Sequence, residues 1–246
     1  MAVDWVKRIV PWTGLVILGV LLAGCNRLQA QQLSPEEITA RSADRMKALK
    51  GFEYLIQRTG APVFLDYEET IVFNRAEGQY VSPDRVFANV RLVTPGLIAE
   101  IKIISIGGVQ WSTNFLTGEW EATDPLYSFN PSLLFDAEDG IQVILAKDMI
   151  NPVLVGMEEL PEIPGKKLYA IQATVQGNHL NVLSYGMIDD EMLQIKVWVD
   201  PDSFDLDRIL LVDPANPGNE EDTTWQIDFW NFDKTFDIEQ PVPNNQ

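Results

Sequence analysis

Arg85-Val86-Phe87-Ala88-Asn89-Val90-Arg91-Leu92 is the stretch that decides the fold class. Successive side chains of a β-strand point to opposite faces, so Val86, Ala88, Val90 and Leu92 share one face while Arg85, Asn89 and Arg91 share the other. The same alternation recurs on either side. Ile101 and Ile103 oppose Glu100 and Lys102, and Tyr169, Ile171, Ala173 and Val175 oppose Gln172, Thr174 and Gln176. Leu193, Ile195, Val197 and Val199 oppose Gln194, Lys196 and Asp200, while Trp225, Ile227 and Phe229 oppose Gln226 and Asp228. Strands buried on both faces read as continuous apolar runs; these instead have one apolar and one wet face, the mark of an antiparallel sheet.

Working outward, β-rich runs cover 52–59, 63–76, 79–81, 85–93, 97–106, 109–114 and 119–122, and resume at 167–175, 179–187, 192–199, 208–212 and 224–232. Gly, Pro, Asn and Asp punctuate them at hairpin spacing. Ahead of the first run, Ser34-Pro35-Glu36-Glu37 supplies an N-cap, a proline at the first helical position and a glutamate that closes a capping box. The spacing of Ile38, Met46 and Leu49 predicts a helix to about Lys50, stopped by Gly51. The fold class expected is α+β, mainly β: a single strongly curved antiparallel sheet forming an open half-barrel, with helices covering the concave face.

The cover is expected from residues 125–164, which read as helix and loop. Asn130-Pro131-Ser132-Leu133-Leu134-Phe135 opens one short helix, and Asp139-Gly140-Ile141 begins a second with Ile141, Ile144, Leu145 and Met149 in a stripe. Such a stripe must pack on something, and the concave face of the sheet is the available partner. A filled core and a ligand cavity call for the same residues, so both remain open at this point.

Composition narrows the function classes. The 246 residues carry 18 Lys+Arg against 36 Asp+Glu, a formal net charge of −18. So negative a surface repels phosphate backbones and excludes nucleic-acid binding as a main activity. With 46% hydrophobic and 22% charged residues, the chain is apolar enough for a sizeable core. One Cys and one His exclude a disulfide framework and any zinc site built from several such ligands. His179 has no Ser, Cys or metal-ligand companion nearby in sequence, and a surface or strand-edge role is expected for it. Asp200, Asp202, Asp205 and Asp207 crowd a segment that lacks the spacing and glycine of a calcium loop, so a solvated hairpin turn is expected. Asp189-Asp190-Glu191 is a charged turn before a strand. No nucleophile elbow, zinc-protease helix motif, phosphate-binding loop or dinucleotide fingerprint occurs, so no catalytic residue, metal or cofactor is assigned.

The amino-terminal segment states a location. Lys7 and Arg8 precede an uncharged run from Ile9 to Leu22, 14 residues long, which is short for a bilayer span and right for a signal-peptide core. It ends in Leu22-Ala23-Gly24-Cys25, which resembles the bacterial lipobox. That resemblance implies a signal peptide over 1–24, a diacylglyceryl group on the Cys25 thiol and a polar tether over 25–33. The remaining 34–246 form one domain, lipid-anchored on the extracytoplasmic face of the bacterial cell membrane.

Three further segments carry a family resemblance: Met46-Lys47-Ala48-Leu49-Lys50-Gly51-Phe52 with a strand following; Lys196-Val197-Trp198-Val199-Asp200 leading into Asp207-Arg208-Ile209; and Phe229-Trp230-Asn231-Phe232 continuing through Phe236-Asp237-Ile238 to Pro241-Val242-Pro243. With the order of lipobox, tether, capped helix, curved sheet, two-helix insert and returning strands, the chain is similar to the mycobacterial LppX/LprA/LprF/LprG lipoproteins, whose half-barrel is related to the LolA and LolB carriers. The Asn216–Glu221 loop is an added turn relative to that pattern. The resemblance implies a cavity between sheet and helices that carries or presents acylated lipids or glycolipids, without catalysis and with a transporter partner of unknown identity. At about 0.8 kcal/mol per CH₂, shielding one long acyl chain from water is worth on the order of 10 kcal/mol.

By alternation, the candidate lining positions are Val86, Val90, Leu92, Ile101, Ile103, Ile171, Ala173, Ile195, Val197, Ile227 and Phe229 from the sheet, with Leu134, Ile141 and Leu145 from the helices. The alternative reading is an anchored envelope-assembly or protein-interaction factor with no stable lipid ligand. Changing Cys25 to Ser is expected to release the protein from membranes into the soluble fraction, as read by fractionation and blotting. Tight membrane association of that variant would place the anchor elsewhere.

Overall fold

Ser34 opens the first helix as the sequence predicts: its hydroxyl accepts from the Glu37 backbone N–H at 3.1 Å. Helix α1 (Pro35–Ala48) has Pro35 in its first turn beside Glu36 and Glu37, with Arg45 and Lys47 in its last turn, so both ends complement the helix dipole. It buries Ile38, Ala43 and Met46. Arg45 holds its outer side, pairing with Asp205 and Asp233 at 2.7 Å each. The computed structural model describes residues 33–65, 68–124, 129–189, 191–215 and 221–242. The signal segment 1–24, Cys25 and the tether as far as residue 32 lie outside the described residues, as do Asp190 and residues 216–220 of the added turn. No helix among the described residues is long and apolar enough to cross a membrane.

Eleven strands follow: β1 (Gly51–Gly60), β2 (Val72–Val81), β3 (Arg85–Thr94), β4 (Leu97–Ile106), β5 (Val109–Thr113), β6 (Trp120–Thr123), β7 (Met149–Glu159), β8 (Lys167–Gln176), β9 (Met192–Val199), β10 (Leu206–Asp213) and β11 (Thr223–Trp230). They form one antiparallel sheet in the order β6-β5-β4-β3-β2-β1-β11-β10-β9-β8-β7, open between β6 and β7. This is the open half-barrel expected. The two edge strands are consecutive in the chain, so the segment joining them must travel from one margin of the sheet to the other. That segment holds a 3₁₀ turn (Pro131–Phe135) and helix α2 (Ile141–Val143), which continues as a π turn (Ile144–Asp148). A third helix, α3 (Gly177–Leu183), lies between β8 and β9.

The concave face is the alternation made real. Val86, Ala88, Val90 and Leu92 are all buried, and the register sets Val90 opposite Ile101 and Ala88 opposite Ile103. On the other wing Ile171 faces Val197 and Ala173 faces Ile195. At the seam Phe135 descends from the 3₁₀ turn onto the sheet, its ring centroid 4.9 Å from Tyr54, 5.1 Å from Phe52 and 5.4 Å from Tyr80. Aromatic contacts of this kind add to area burial and fix where the cover sits.

Three expectations are corrected. The run 179–187 is not a strand but contributes to α3 and the turn after it: Leu180 and Leu183 are buried while Val182 is 67% exposed, a helical rather than an alternating period. Within 125–164, read as helix and loop, residues 149–159 form β7. Pro152 and Gly156 mask that strand in the sequence, and both are tolerated because β7 is an edge with register shifts beside each. Run 63–76 contributes only an isolated bridge, Phe64 to Val72, before the continuous β2 begins at Val72 and takes in 79–81. The outer face is also drier than alternation suggests. The carboxy-terminal Ile238 packs on Ile104 and Trp111, and Leu160 packs on Leu168, Ala170 and Trp198.

A close approach joins β1, β2 and β3 at Gly78. Tyr54, fully buried, donates its hydroxyl to the Phe87 carbonyl at 3.1 Å, and burial pushes its ionisation far up. It passes over Gly78, where an added Cβ would stand 1.9 Å from the Phe87 oxygen and 2.8 Å from the Tyr54 hydroxyl. Gly78→Ala is therefore expected to destabilise the protein by about 3 kcal/mol, the upper end of ordinary overpacking, as read from the urea unfolding midpoint. An unchanged midpoint would contradict this packing.

Candidate functional site

The space between the cover and the concave face contains an apolar pocket. Its floor is Ile56 of β1, Phe73 of β2, Ile195 of β9, Ile209 and Leu211 of β10, and Trp225 and Ile227 of β11. Its roof is Phe129 and Leu134 beside the 3₁₀ turn, Ile141 and Ile144 of the α2 segment, and Leu180, Leu183, Ser184, Met187 and Ile188 from α3 and the turn after it. None of these side chains titrates in the physiological range. The one hydroxyl is already engaged: Ser184 Oγ donates to the Asn181 carbonyl at 3.3 Å and accepts from the Ile188 N–H at 3.0 Å.

The pocket volume is about 50 Å³, room for a few methyl-sized groups. Phe73, Phe129 and Met187 border it and also border a cleft of about 240 Å³. That cleft runs along Val90, Ile101 and Ile103 and reaches the exposed Leu65 and Tyr185, with Gln110, Ser112 and Thr123 as its polar margin. Pocket and cleft thus share a wall of three apolar side chains. A larger groove of about 540 Å³ lies along β7 to β10, but Gln172, Thr174, Gln194 and Lys196 line it and it is open to water.

The roof is held by a small set of polar contacts. His179, near the start of α3, has each ring nitrogen within hydrogen-bond reach of an acceptor: Nδ1 lies 2.6 Å from the Asp148 carboxylate and Nε2 lies 2.7 Å from the Asp139 carbonyl. It therefore ties α3 to both ends of the α2 segment. Asn181 adds a bond from its side-chain amide to the Ile188 carbonyl at 2.7 Å, and Gln142 donates to the Asp136 carbonyl. The polar role of His179 is that of a clasp between roof elements rather than of a strand-edge residue.

Of the positions proposed from alternation, Leu134, Ile141, Ile195 and Ile227 line the pocket, and Val90, Ile101 and Ile103 line the cleft. Val86, Leu92, Leu145, Ile171 and Val197 are buried in the surrounding core. Phe229 belongs to the aromatic seam, 5.5 Å from Phe52, and Ala173 borders the outer groove. Among the pocket residues that alternation does not name, Leu180, Leu183, Ser184 and Met187 are hidden by the reading of 179–187 as a strand. Ile56, Ile209 and Leu211 lie on the same alternating faces and were legible. Among the described residues no group of His, Cys, Asp or Glu is placed to hold a metal ion. The crowded aspartates of the β9–β10 turn serve that turn: Asp200 Oδ1 accepts from the N–H groups of Asp202 and Ser203, and Lys166 pairs with Asp200 at 3.0 Å and Asp207 at 2.8 Å.

Comparison with known proteins agrees with this architecture. Residues 34–238 match the model of the LppX_LprAFG lipoprotein family, and the chain belongs to that family. The fold is shared with LprF from Mycobacterium bovis, at 13% identity, 85% coverage of this chain, 100% of that one and a TM-score of 0.65. It is shared also with lipoprotein LppX from Mycobacterium tuberculosis, at 15% identity, 83% and 97% coverage and a TM-score of 0.56. None of the curated proteins matches in sequence.

Loss of the clasp should loosen the roof without unfolding the sheet. His179→Ala is expected to cost about 1–2 kcal/mol, since hydrogen bonds to a charged partner are lost at a half-buried site. Amide hydrogen exchange should quicken in 177–183 and stay slow in β3. Equal acceleration in both would contradict a role confined to the roof.

Proposed function

We propose that this chain is a membrane-anchored extracytoplasmic lipoprotein that binds acylated lipids or glycolipids beneath its roof and carries or presents them within the cell envelope. The observation that carries the reading is the apolar pocket beneath the roof, with no titratable side chain in its wall, beside a cleft that reaches the surface and shares Phe73, Phe129 and Met187 with it. A site that offers no acid, base, nucleophile or metal ligand suits retention of hydrocarbon rather than bond-making, so the reading is of a binder and not an enzyme. Membership of a lipoprotein family supports the anchor read at Cys25, where two or more acyl chains would hold the protein stably on the membrane. The partners are then the lipid ligand, the membrane that holds the anchor, and a transporter that supplies or receives the lipid.

The pocket as it stands is too small for a long acyl chain, so binding requires the roof to lift. Burial of the chain offers on the order of 10 kcal/mol towards that movement, against the few polar contacts that hold α3 and the α2 segment. The same small volume supports a second reading, an anchored protein-interaction factor whose interior stays closed.

Placing a large ring in the pocket separates the two. Ile195→Trp is expected to cut the affinity for a fluorescent diacylglycerol analogue at least tenfold, while Leu116→Trp, at a surface position 77% exposed, leaves it unchanged. Equal binding by the Ile195 variant and the parent would overturn the assigned site. Failure of the parent to bind any acyl lipid would favour the interaction factor.

A further inference from the structure

The pocket wall holds one hydrogen-bond donor with nothing to donate to. Trp225 on β11 is 4% exposed, its ring lies 5.5 Å from that of Phe73, and its Nε1 has no hydrogen-bond partner. Buried N–H groups are almost always paired, because leaving water without a replacement acceptor is costly. The rest of the wall is aliphatic and aromatic apart from the Met187 thioether, a weak acceptor, and Ser184, whose hydroxyl is turned to backbone.

Resting on the lipid-binding reading above, we infer that the Trp225 indole N–H is a specificity-determining donor for the acyl carbonyl oxygen of the bound lipid. An indole N–H only donates, so the missing group must be an acceptor. An apolar wall disfavours an ionised one, which leaves a neutral carbonyl, such as that of an ester, as the group that fits at least cost. Position agrees with this. Phe73, the ring neighbour of Trp225, borders both pocket and cleft, so the Trp225 ring lies beside the wall that the two share. A carbonyl held there leaves the hydrocarbon tail in the pocket and directs the head group out along the cleft towards Leu65 and Tyr185. Pure hydrocarbon would fill the same space and leave the donor unpaired.

The test uses protein labelled with ¹⁵N at tryptophan, with methyl palmitate, palmitic acid and hexadecane as probes. The Trp225 indole resonance, identified by its disappearance in Trp225→Phe and independently by backbone-linked assignment, is expected to move downfield with methyl palmitate and not with hexadecane. A shift with palmitic acid as well would extend the same contact to free acids, and a shift with the ester alone would restrict it to esters. Trp225→Phe should lower the ratio of methyl palmitate affinity to hexadecane affinity about fivefold, the loss of one hydrogen bond over and above whatever the smaller ring costs both probes. Binding of ester and alkane with the same Trp225 resonance and equal affinity would overturn the inference while leaving the lipid-binding reading intact. Binding of none of the three would overturn both.

Discussion

An open sheet with an apolar concave face cannot leave that face in water, and among the described residues there is no second sheet with which to close it. The topology supplies the answer. Strands β6 and β7 are consecutive in the chain and occupy opposite margins of the sheet, so the residues between them must cross its open side. The 3₁₀ turn and the α2 segment are made from that crossing, and α3 joins them from the β8–β9 connection. Burial of side chains such as Ile141, Ile144, Leu180 and Leu183, at about 1.5–3 kcal/mol each, holds the cover on the sheet with few polar bonds. The rest of the structure follows from this arrangement: helix α1 braces it, the aromatic seam locates it, and the pocket is the space it leaves.

The two sides of the cover differ in kind. At the seam, Phe135 is packed among Phe52, Tyr54 and Tyr80, with Tyr54 fixed in turn by its bond to the Phe87 carbonyl. Towards α3 the contacts are aliphatic below and rely above on His179, Asn181 and Gln142. Movement is cheaper on the second side, because short helices fixed by a few half-buried hydrogen bonds open locally well before a sheet does. The cleft adjoins the pocket on that side, at Met187 and Phe129. The wall shared with the cleft and the weaker polar hold therefore fall on the same part of the roof.

Much of this was legible in the sequence because the sheet obeys a strict period of two. Arg85 to Leu92 and Met192 to Val199 declare their buried faces, and the capping residues Ser34 and Pro35 declare α1. What was illegible has physical causes. Strand β7 carries Pro152 and Gly156, which read as breakers until its position at the edge of the sheet is known. Helix α3 is only seven residues long, and Leu180, Val182 and Ser184 imitate alternation until burial shows that Val182 faces outward. The site was legible in half: alternation says which face of a strand is apolar, but not which of its residues meet a cavity and which meet a neighbour. Ile195 and Val197 are two residues apart on one face, yet Ile195 lines the pocket and Val197 is sealed in core. Trp225 was legible as a buried-face residue, while its unpaired N–H is a property of the packed structure alone.

The central claim is that the roof opens to hold an acyl lipid. Native mass spectrometry of the domain with Cys25 replaced by Ser, purified from membranes of its own host and followed by identification of whatever dissociates, tests it most directly. The account predicts a bound species of near-stoichiometric abundance that releases ester-linked acyl chains. A protein of apo mass that takes up no added acyl lipid would contradict it.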